Sequence, residues 1–378
     1  MKNKYIILLI LTLGTIFLMA SCQSTAPAPA ALVSSPEPAA SPAPVPEPVP
    51  PPASRDVPDQ AALNSLAAAK ARAEDARKRA ADFESPAYFP GEWEAAEAAY
   101  VSAGEQPQNT LTEVKQAEAQ YNAAADSFED VFSKTIPLYA QDREAEVIAA
   151  RNEAISAGID SLYPEHLRAT DTIALDAVDK YEAGDYYAAR DAAALSLGRY
   201  QALKAGMDSY NVRQEVLNRN FADYDPDNFD RADKTLVTAL DLFEAGNIEE
   251  ALNEAEEAKL RYNLALKFGW AVYAEERALT AGKERQNALD LKANVAVRSE
   301  FDPAEKLYGQ AGISLKAEKY EESVDLYSQS EARFISLAKA AAEKRRVADA
   351  AIKVAEEKMV ESEETARDAE LILEGGAE

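Results

Sequence analysis

The sequence predicts an all-α fold: an elongated array of helical hairpins, either a solenoid or an extended bundle, with long connecting helices. Three observations carry this. Only 14 of the 378 residues are glycine, while Ala, Glu and Lys abound, a composition that favours helix over sheet. Three stretches repeat one pattern in one register: DKYEAGDYYAARDAAALSLGRY (179–200), LDLFEAGNIEEALNEAEEAKLRY (240–262) and ISLKAEKYEESVDLYSQSEARF (313–334). Each is preceded by an apolar anchor, Leu167, Phe229 or Phe301, seventeen residues before the turn at Gly184, Gly246 or Glu318. Each ends on an aromatic ring thirty-three residues after the anchor, at Tyr200, Tyr262 or Phe334.

Taken in order, residues 1–21 read as a secretory signal: Lys2 and Lys4, then an apolar run too short for a comfortable membrane span, then small residues. Residues 22–59 read as a tether, because twelve of the nineteen prolines lie between Pro27 and Pro58. Proline withholds the donor that helix and sheet both need, so this segment is expected to be extended and semi-rigid. Residues 60–374 read as the helical repeat domain, and 375–378 as a disordered tail.

The first helix is expected from about Asp59 through ALNSLAAAKARAEDARKRAADFE, with Pro86 and Pro90 stopping it and starting the next. A degenerate opening repeat is anchored on Trp93. Counted from Trp93, Leu167, Phe229 and Phe301, the fourth residue on is always acidic (Glu97, Asp171, Asp233, Glu305) and the tenth always alanine (Ala103, Ala177, Ala239, Ala311). The alanine suits close helix approach, and the acid is read as complementing the helix dipole. Pro90, Pro164 and Pro226 stand three before their anchors, where a first helical turn accepts proline.

Gly184 and Gly246 are predicted as left-handed C-caps, with Asp185 and Asn247 as N-caps of the following helices. Glu318 and Lys319 hold those places in the last copy, whose turn is expected to be built differently. Long helices are expected from Tyr186 to about Asn220 and from Asn247 to about Val297, the latter bent at a glycine, and Pro137 is expected to kink or break an earlier one. The closing helix, Tyr320 to about Leu373, is read as capping the array in preference to forming a coiled coil with a partner.

The totals exclude several function classes. With 66 acidic against 40 basic residues the net charge is −26, which repels phosphate backbones, so no nucleic-acid partner is expected. Cys22 and His166 are the only cysteine and histidine, which removes intrachain disulfides, histidine triads and the usual zinc sites. Asp223, Asp225 and Asp227 alternate as in a calcium loop, but Lys234 stands where the bidentate glutamate belongs, so the stretch is read as N-capping. No cofactor, no metal and no enzymatic activity are expected.

Several segments resemble known families. Gly184-Asp185-Tyr186-Tyr187-Ala188-Ala189 is similar to the turn of tetratricopeptide repeats, although anchor spacings of 74, 62 and 72 are about twice that family's period. Leu18-Met19-Ala20-Ser21-Cys22 resembles the lipobox of bacterial lipoproteins, with Met19 where an aliphatic residue is usual, a looseness shared by spirochaetal versions. That resemblance implies cleavage before Cys22, a diacylglyceryl thioether on its sulfur and an acylated amino group. Gln23, in place of the aspartate that retains enteric lipoproteins at the inner membrane, favours the outer one.

Lipobox, tether and Ala/Glu-rich body together resemble spirochaetal, particularly treponemal, membrane lipoprotein antigens. The resemblance implies a lipid-anchored, periplasm-facing protein of the cell envelope. The leading expectation is a scaffold that binds another envelope protein. The alternatives are an accessory lipoprotein that holds a peptidoglycan fragment or hydrophobic solute in aromatic clefts, and a passive spacer. Candidate contact residues are Trp93, Tyr100, Tyr224, Phe229 and Tyr308, which cluster at hairpin entrances or on the first helices.

Overall fold

The computed structural model of the protein describes residues 56–375; the signal segment, Cys22, the tether up to residue 55 and the last three residues of the chain lie outside them. The described residues form twelve α-helices and one 3-10 turn, with no strand among them. Four of the helices are short: α3 (Pro90–Glu105), α6 (Pro164–Glu182), α8 (Pro226–Ala245) and α11 (Arg298–Lys316). Five are long: α1 (Gln60–Asp82), α4 (Leu111–Ser156), α7 (Tyr186–Asn218), α9 (Ile248–Asp290) and α12 (Tyr320–Gly375). A single turn precedes each short helix: α2 (Ser85–Tyr88), α5 (Ile159–Leu162), the 3-10 turn Ala222–Tyr224 and α10 (Ala293–Ala296).

The repeating unit holds three helical segments, where a bare hairpin holds two. Each unit combines the end of one long helix, a short helix, and the start of the next long helix. Tyr121 and Phe128 of α4 belong to the first core, while Ala150 and Ala154 of the same helix pack with Leu167 and Tyr200 in the second. Likewise α7 gives Tyr200 to the second core and Val216 to the third, and α9 gives Tyr262 to the third and Ala288 to the fourth. The long helices pack in sequence, α1 on α4, α4 on α7, α7 on α9 and α9 on α12, so the array is open and elongated.

The anchors and terminal rings meet as the register predicts. Phe229 and Tyr262 lie 5.6 Å apart between ring centroids and Phe301 and Phe334 also 5.6 Å, while in the first unit Trp93 meets, at 5.1 Å, a ring thirty-five residues on, Phe128. Beneath them the three segments approach through small side chains. Ala96, Thr170, Ala232 and Ala304 stand three after each anchor, and Ala124, Ser196, Ala258 and Ser330 four before each terminal ring; all are fully or almost fully buried. Ala103, Ala177, Ala239 and Ala311 are buried as expected. A small residue at such points brings backbones closer than leucine would, which replaces bulk with contact.

Two left-handed positions punctuate the units. Glu84, Gly158, Asn220 and Lys292, nine before each anchor, have φ of 62°, 102°, 59° and 59° and end the long helices. Gly184, Gly246 and Glu318 have φ of 79°, 86° and 57° and end the short ones. The Glu318 turn, expected to be different, is the same. Lys319 N–H donates to the Ser314 carbonyl at 2.9 Å, as Asp185 does to Lys180 at 3.0 Å and Asn247 to Leu242 at 2.9 Å. The closing hydrogen bonds thus hold a non-glycine residue in the left-handed region.

Other expectations need correction. α9 stops at Asp290, short of Val297, because Lys292 turns the chain into α10. α4 runs unbroken through Pro137, with Thr135 and Ile136 buried beside it. Asn247 occupies the N-cap but makes no side-chain capping bond, whereas the Asp185 carboxylate accepts from Ala188 N–H at 3.2 Å. Asp225 accepts from Asn228 N–H at 3.3 Å, so the Asp223–Asn228 stretch caps α8. Finally α12 caps the array only as far as Ala341, its last buried residue; from Ala342 to Leu373 every residue is exposed. The run Lys344-Arg345-Arg346 with its surrounding acids gives that stretch no broad apolar face to lay on the body.

Gly269, in the middle of α9, is buried under the Phe221 ring, which occupies the space a Cβ would need. Gly206 in α7 has nothing within 4 Å of that position. Gly269→Ala is therefore expected to lower stability by about 1–3 kcal/mol through overpacking, and Gly206→Ala to raise it by about 0.5–1 kcal/mol through helix propensity. Thermal unfolding followed by circular dichroism checks both, and equal shifts of one sign would contradict the packing at Gly269.

Candidate functional site

One polar constellation recurs in all four units. An arginine sixteen residues before each anchor, near the end of a long helix, meets the acid four residues after it, so each pair is separated by 20 positions. Arg151 binds Asp171 through Nε at 2.7 Å and Nη2 at 2.9 Å. Arg213 binds Asp233 at 2.8 and 3.1 Å, and Arg285 binds Glu305 at 2.7 and 2.6 Å. Arg77 and Glu97 form the first pair. The acid lies beyond the first turn of its helix, as Glu97 does in a helix beginning at Pro90. It therefore serves an ion pair between segments, and the helix-dipole reading is corrected.

The units fall into two kinds. In the inner two, the third segment contributes a tyrosine: Tyr200 Oη donates to Asp171 at 2.5 Å, and Tyr262 donates to Asp233. In the outer two, the terminal ring is Phe128 or Phe334, which has no hydroxyl, and the acid is the longer glutamate. The outer units instead place a tyrosine seven residues after the anchor. Arg77 lies 5.7 Å from the Tyr100 centroid and Arg285 5.5 Å from that of Tyr308. A second tyrosine packs edge-on against each, Tyr121 at 5.4 Å and Tyr327 at 5.3 Å.

These clusters have the residue types of a catalytic site but the geometry of a clamp. The carboxylates of Asp171 and Asp233 are engaged by guanidinium and phenol, and each tyrosine hydroxyl is spent on the acid. Burial would raise the Asp233 pKa, but hydrogen bonds from Arg213 and Tyr262 outweigh it and hold the carboxyl below the usual carboxylate range. Burial, and then the bond to the neighbouring acid, push the Tyr200 and Tyr262 phenols well above the usual tyrosine range.

The candidate contact residues are drawn into the same packing. Trp93 packs at a tilt against Phe128 and Phe229 edge-on against Tyr262, while Tyr100 donates to Glu74 at 3.0 Å. Tyr224 lies 5.8 Å from Phe221, and Tyr308 lies 5.3 Å from Tyr327. All are buried or half-buried among their neighbours. Cys22 lies outside the described residues.

A residue that sequence reasoning passed over is Trp270. It is half-buried at the junction of the third and fourth units, with the Arg219 guanidinium 4.2 Å from the ring. Phe221 meets it edge-on at 5.4 Å, and Arg219 reaches Glu321 at 3.9 Å. Trp270, Lys267, Glu318 and Tyr320 help line an open cleft of about 290 Å³. A second open cleft, of about 400 Å³, includes Asp208, which sits between Lys204 at 2.9 Å and Lys259 at 2.8 Å. In sequence Trp270 falls eight residues after the terminal ring Tyr262, at a position held by Ile136, Asp208 and Ala342 in the other units.

The ion pairs set the pH response. Asp233, with its depressed folded pKa, contributes stability above its unfolded value, about 4, that is lost as pH falls below it. Tyr200 and Tyr262, with raised folded values, contribute stability that is full below about pH 10 and lost as pH rises further. Tyr262→Phe is expected to cost on the order of 1 kcal/mol near neutrality, after discounting for the partly solvated acid, and to flatten the loss of stability above about pH 10. Chemical denaturation across the pH range measures both, and an unchanged alkaline limb would contradict the clamp.

The chain is 20% identical over 227 residues to treponemal membrane protein A of Treponema phagedenis, covering 60% of this chain and 66% of that protein. It is 22% identical over 224 residues to treponemal membrane protein A of Treponema pallidum (strain Nichols), covering 59% and 65%. The match thus spans just under two thirds of the length of either relative. No solved structure matches the chain. No family model matches it either, and the likeness to the treponemal membrane proteins is a distant one carried by an all-helical chain.

Proposed function

We propose that this chain is a lipid-anchored protein of the cell envelope whose helical array serves as a scaffold for another envelope protein. The anchor reading rests on the Leu18–Cys22 segment and on the distant likeness to proteins named for their membrane. No helix among the described residues is long and apolar enough to cross a membrane.

The observation that carries the scaffold reading is a set of exposed aliphatic side chains at equivalent register. Val101, Leu175 and Val237 stand eight residues after their anchors, and Val178 and Leu240 eleven after theirs; all five are exposed. Leu260, Leu264 and Phe268 add an exposed row on α9. Trp93, Phe229 and Tyr308, by contrast, are taken up in packing inside the units. Repetition at intervals of a whole unit suits an extended protein surface better than one small ligand. The cleft beside Trp270 favours the second reading, in which a small apolar or planar solute stacks on the exposed part of the ring.

In-cell crosslinking of the tagged chain, followed by identification of what is bound, separates the two. The scaffold reading expects one envelope protein in near-stoichiometric yield, reduced about tenfold, a change of about 1.4 kcal/mol, in the doubly substituted Val237→Asp, Leu240→Asp chain. Recovery of muropeptide or solute with no protein, abolished by Trp270→Ala, would overturn it. The anchor has its own test. Cys22→Ser is expected to move the protein from the detergent-rich to the aqueous phase on phase partition, and unchanged partition would contradict lipidation.

A further inference from the structure

The part of α12 beyond Ala341 leaves the body. Lys344 Nζ donates to the Ala296 carbonyl at 2.8 Å, and from there the helix continues with every side chain exposed through Leu373. That is about 48 Å of unsupported helix at about 1.5 Å per residue. An isolated helix is held in water chiefly by packing of an apolar stripe, and this one has a stripe with nothing on it. Ile352, Met359, Ala366 and Leu373 recur every seventh residue, and the three large ones are 56%, 65% and 77% exposed. Ala348, Ala355 and Ala369 follow the same period four residues before or three after them, and all are exposed. In heptad terms the first set occupies a and the second d, with Arg345 and Ser362 the polar members of the seam.

The charges beside the seam select the occupant and its direction. The e positions are Asp349, Glu356, Glu363 and Glu370, acidic throughout, while Lys344 and Lys358 hold g positions. Two such helices running antiparallel would set e against e, acid against acid. Running parallel, each g faces the e of the following heptad on the other helix, which sets Lys358 opposite Glu363, twice over by symmetry. Within the helix Arg345 meets Asp349 at 3.8 Å, while Lys353 with Glu357 and Arg346 with Glu343 use positions away from the seam.

We propose that the exposed length of α12 pairs with the same segment of a second copy of this chain as a parallel coiled coil, so that the protein is a dimer joined at the end far in sequence from Cys22. The pairing covers Ile352, Met359 and Leu373 and leaves the four-unit body of each copy free. It stands independently of what that body binds.

The test uses the full-length chain in detergent with Cys22→Ser, carrying one introduced thiol at a time. Ile352→Cys and Leu373→Cys, at the two ends of the seam, are each expected to form a disulfide-linked dimer under mild oxidation. Ala350→Cys, on the outer f position, is expected to give about tenfold less. Sedimentation should show a dimer that Met359→Asp converts to a monomer while the thermal unfolding of the body is unchanged. A monomer in sedimentation with equal, weak linkage at all three positions would overturn the proposal. So would linkage only between mixed Ile352→Cys and Leu373→Cys chains, the sign of antiparallel pairing, or in-cell capture of a different protein at Ile352→Cys in place of the self-dimer.

Discussion

The contact on which the architecture depends is the arginine–carboxylate pair that closes each unit. Arg77, Arg151, Arg213 and Arg285 each reach across twenty residues to an acid on the short helix, and in the inner units the tyrosine of the following long helix lands on the same carboxylate. Three segments are thereby registered on one point. The geometry is feasible because the side chains beneath it are small: Thr170, Ser196 and Ala154 in the second unit, and Ala232, Ala258 and Val216 in the third, are all fully buried. Large residues there would hold the segments apart and the bidentate contacts would not close. A half-buried pair is worth little as attraction alone, but removing one partner strands the other, so the pair enforces register more than it adds stability.

From this follows the way the units are joined. Since an arginine must come from the preceding long helix and a ring from the following one, no unit is complete without both, and the long helices are shared. The left-handed residues at Glu84, Gly158, Asn220 and Lys292 then end each shared helix at the same distance from its anchor. The distinction between outer and inner units also makes sense. Where the acid is aspartate a phenol completes it, and where it is glutamate the longer arm meets the arginine without one, beside Tyr100 or Tyr308. An array built this way presents the same register of surface positions repeatedly, which is why Val101, Leu175 and Val237 are exposed alike.

Much of this was legible in the chain. The anchors, terminal rings, tenth-place alanines and glycine turns were readable because each has one physical job and a fixed spacing. The acids read in sequence as helix-dipole partners, because their arginines lie sixteen residues before the anchors, on the preceding long helix and outside the hairpin. Glu318 misled because residue identity is a weaker constraint than the hydrogen bonds that close the turn, and these close as they do at Gly184. Lys292 misled in the same way, hiding the end of α9. Trp93 and Tyr308 pack on Phe128 and Tyr327, while the place of Trp270 at a junction between units shows only once neighbouring units are seen together.

The central claim is that the arginine–acid contact sets the register of a unit, and a double-mutant cycle on the third unit tests it most directly. Arg213→Gln and Asp233→Asn would be made singly and together, with stability measured by denaturation near neutral pH. The account predicts coupling on the order of 1–2 kcal/mol, with the double variant less destabilised than the sum of the single ones. Additivity within about 0.3–0.5 kcal/mol would show that the two side chains act independently and that the units are held by apolar packing alone.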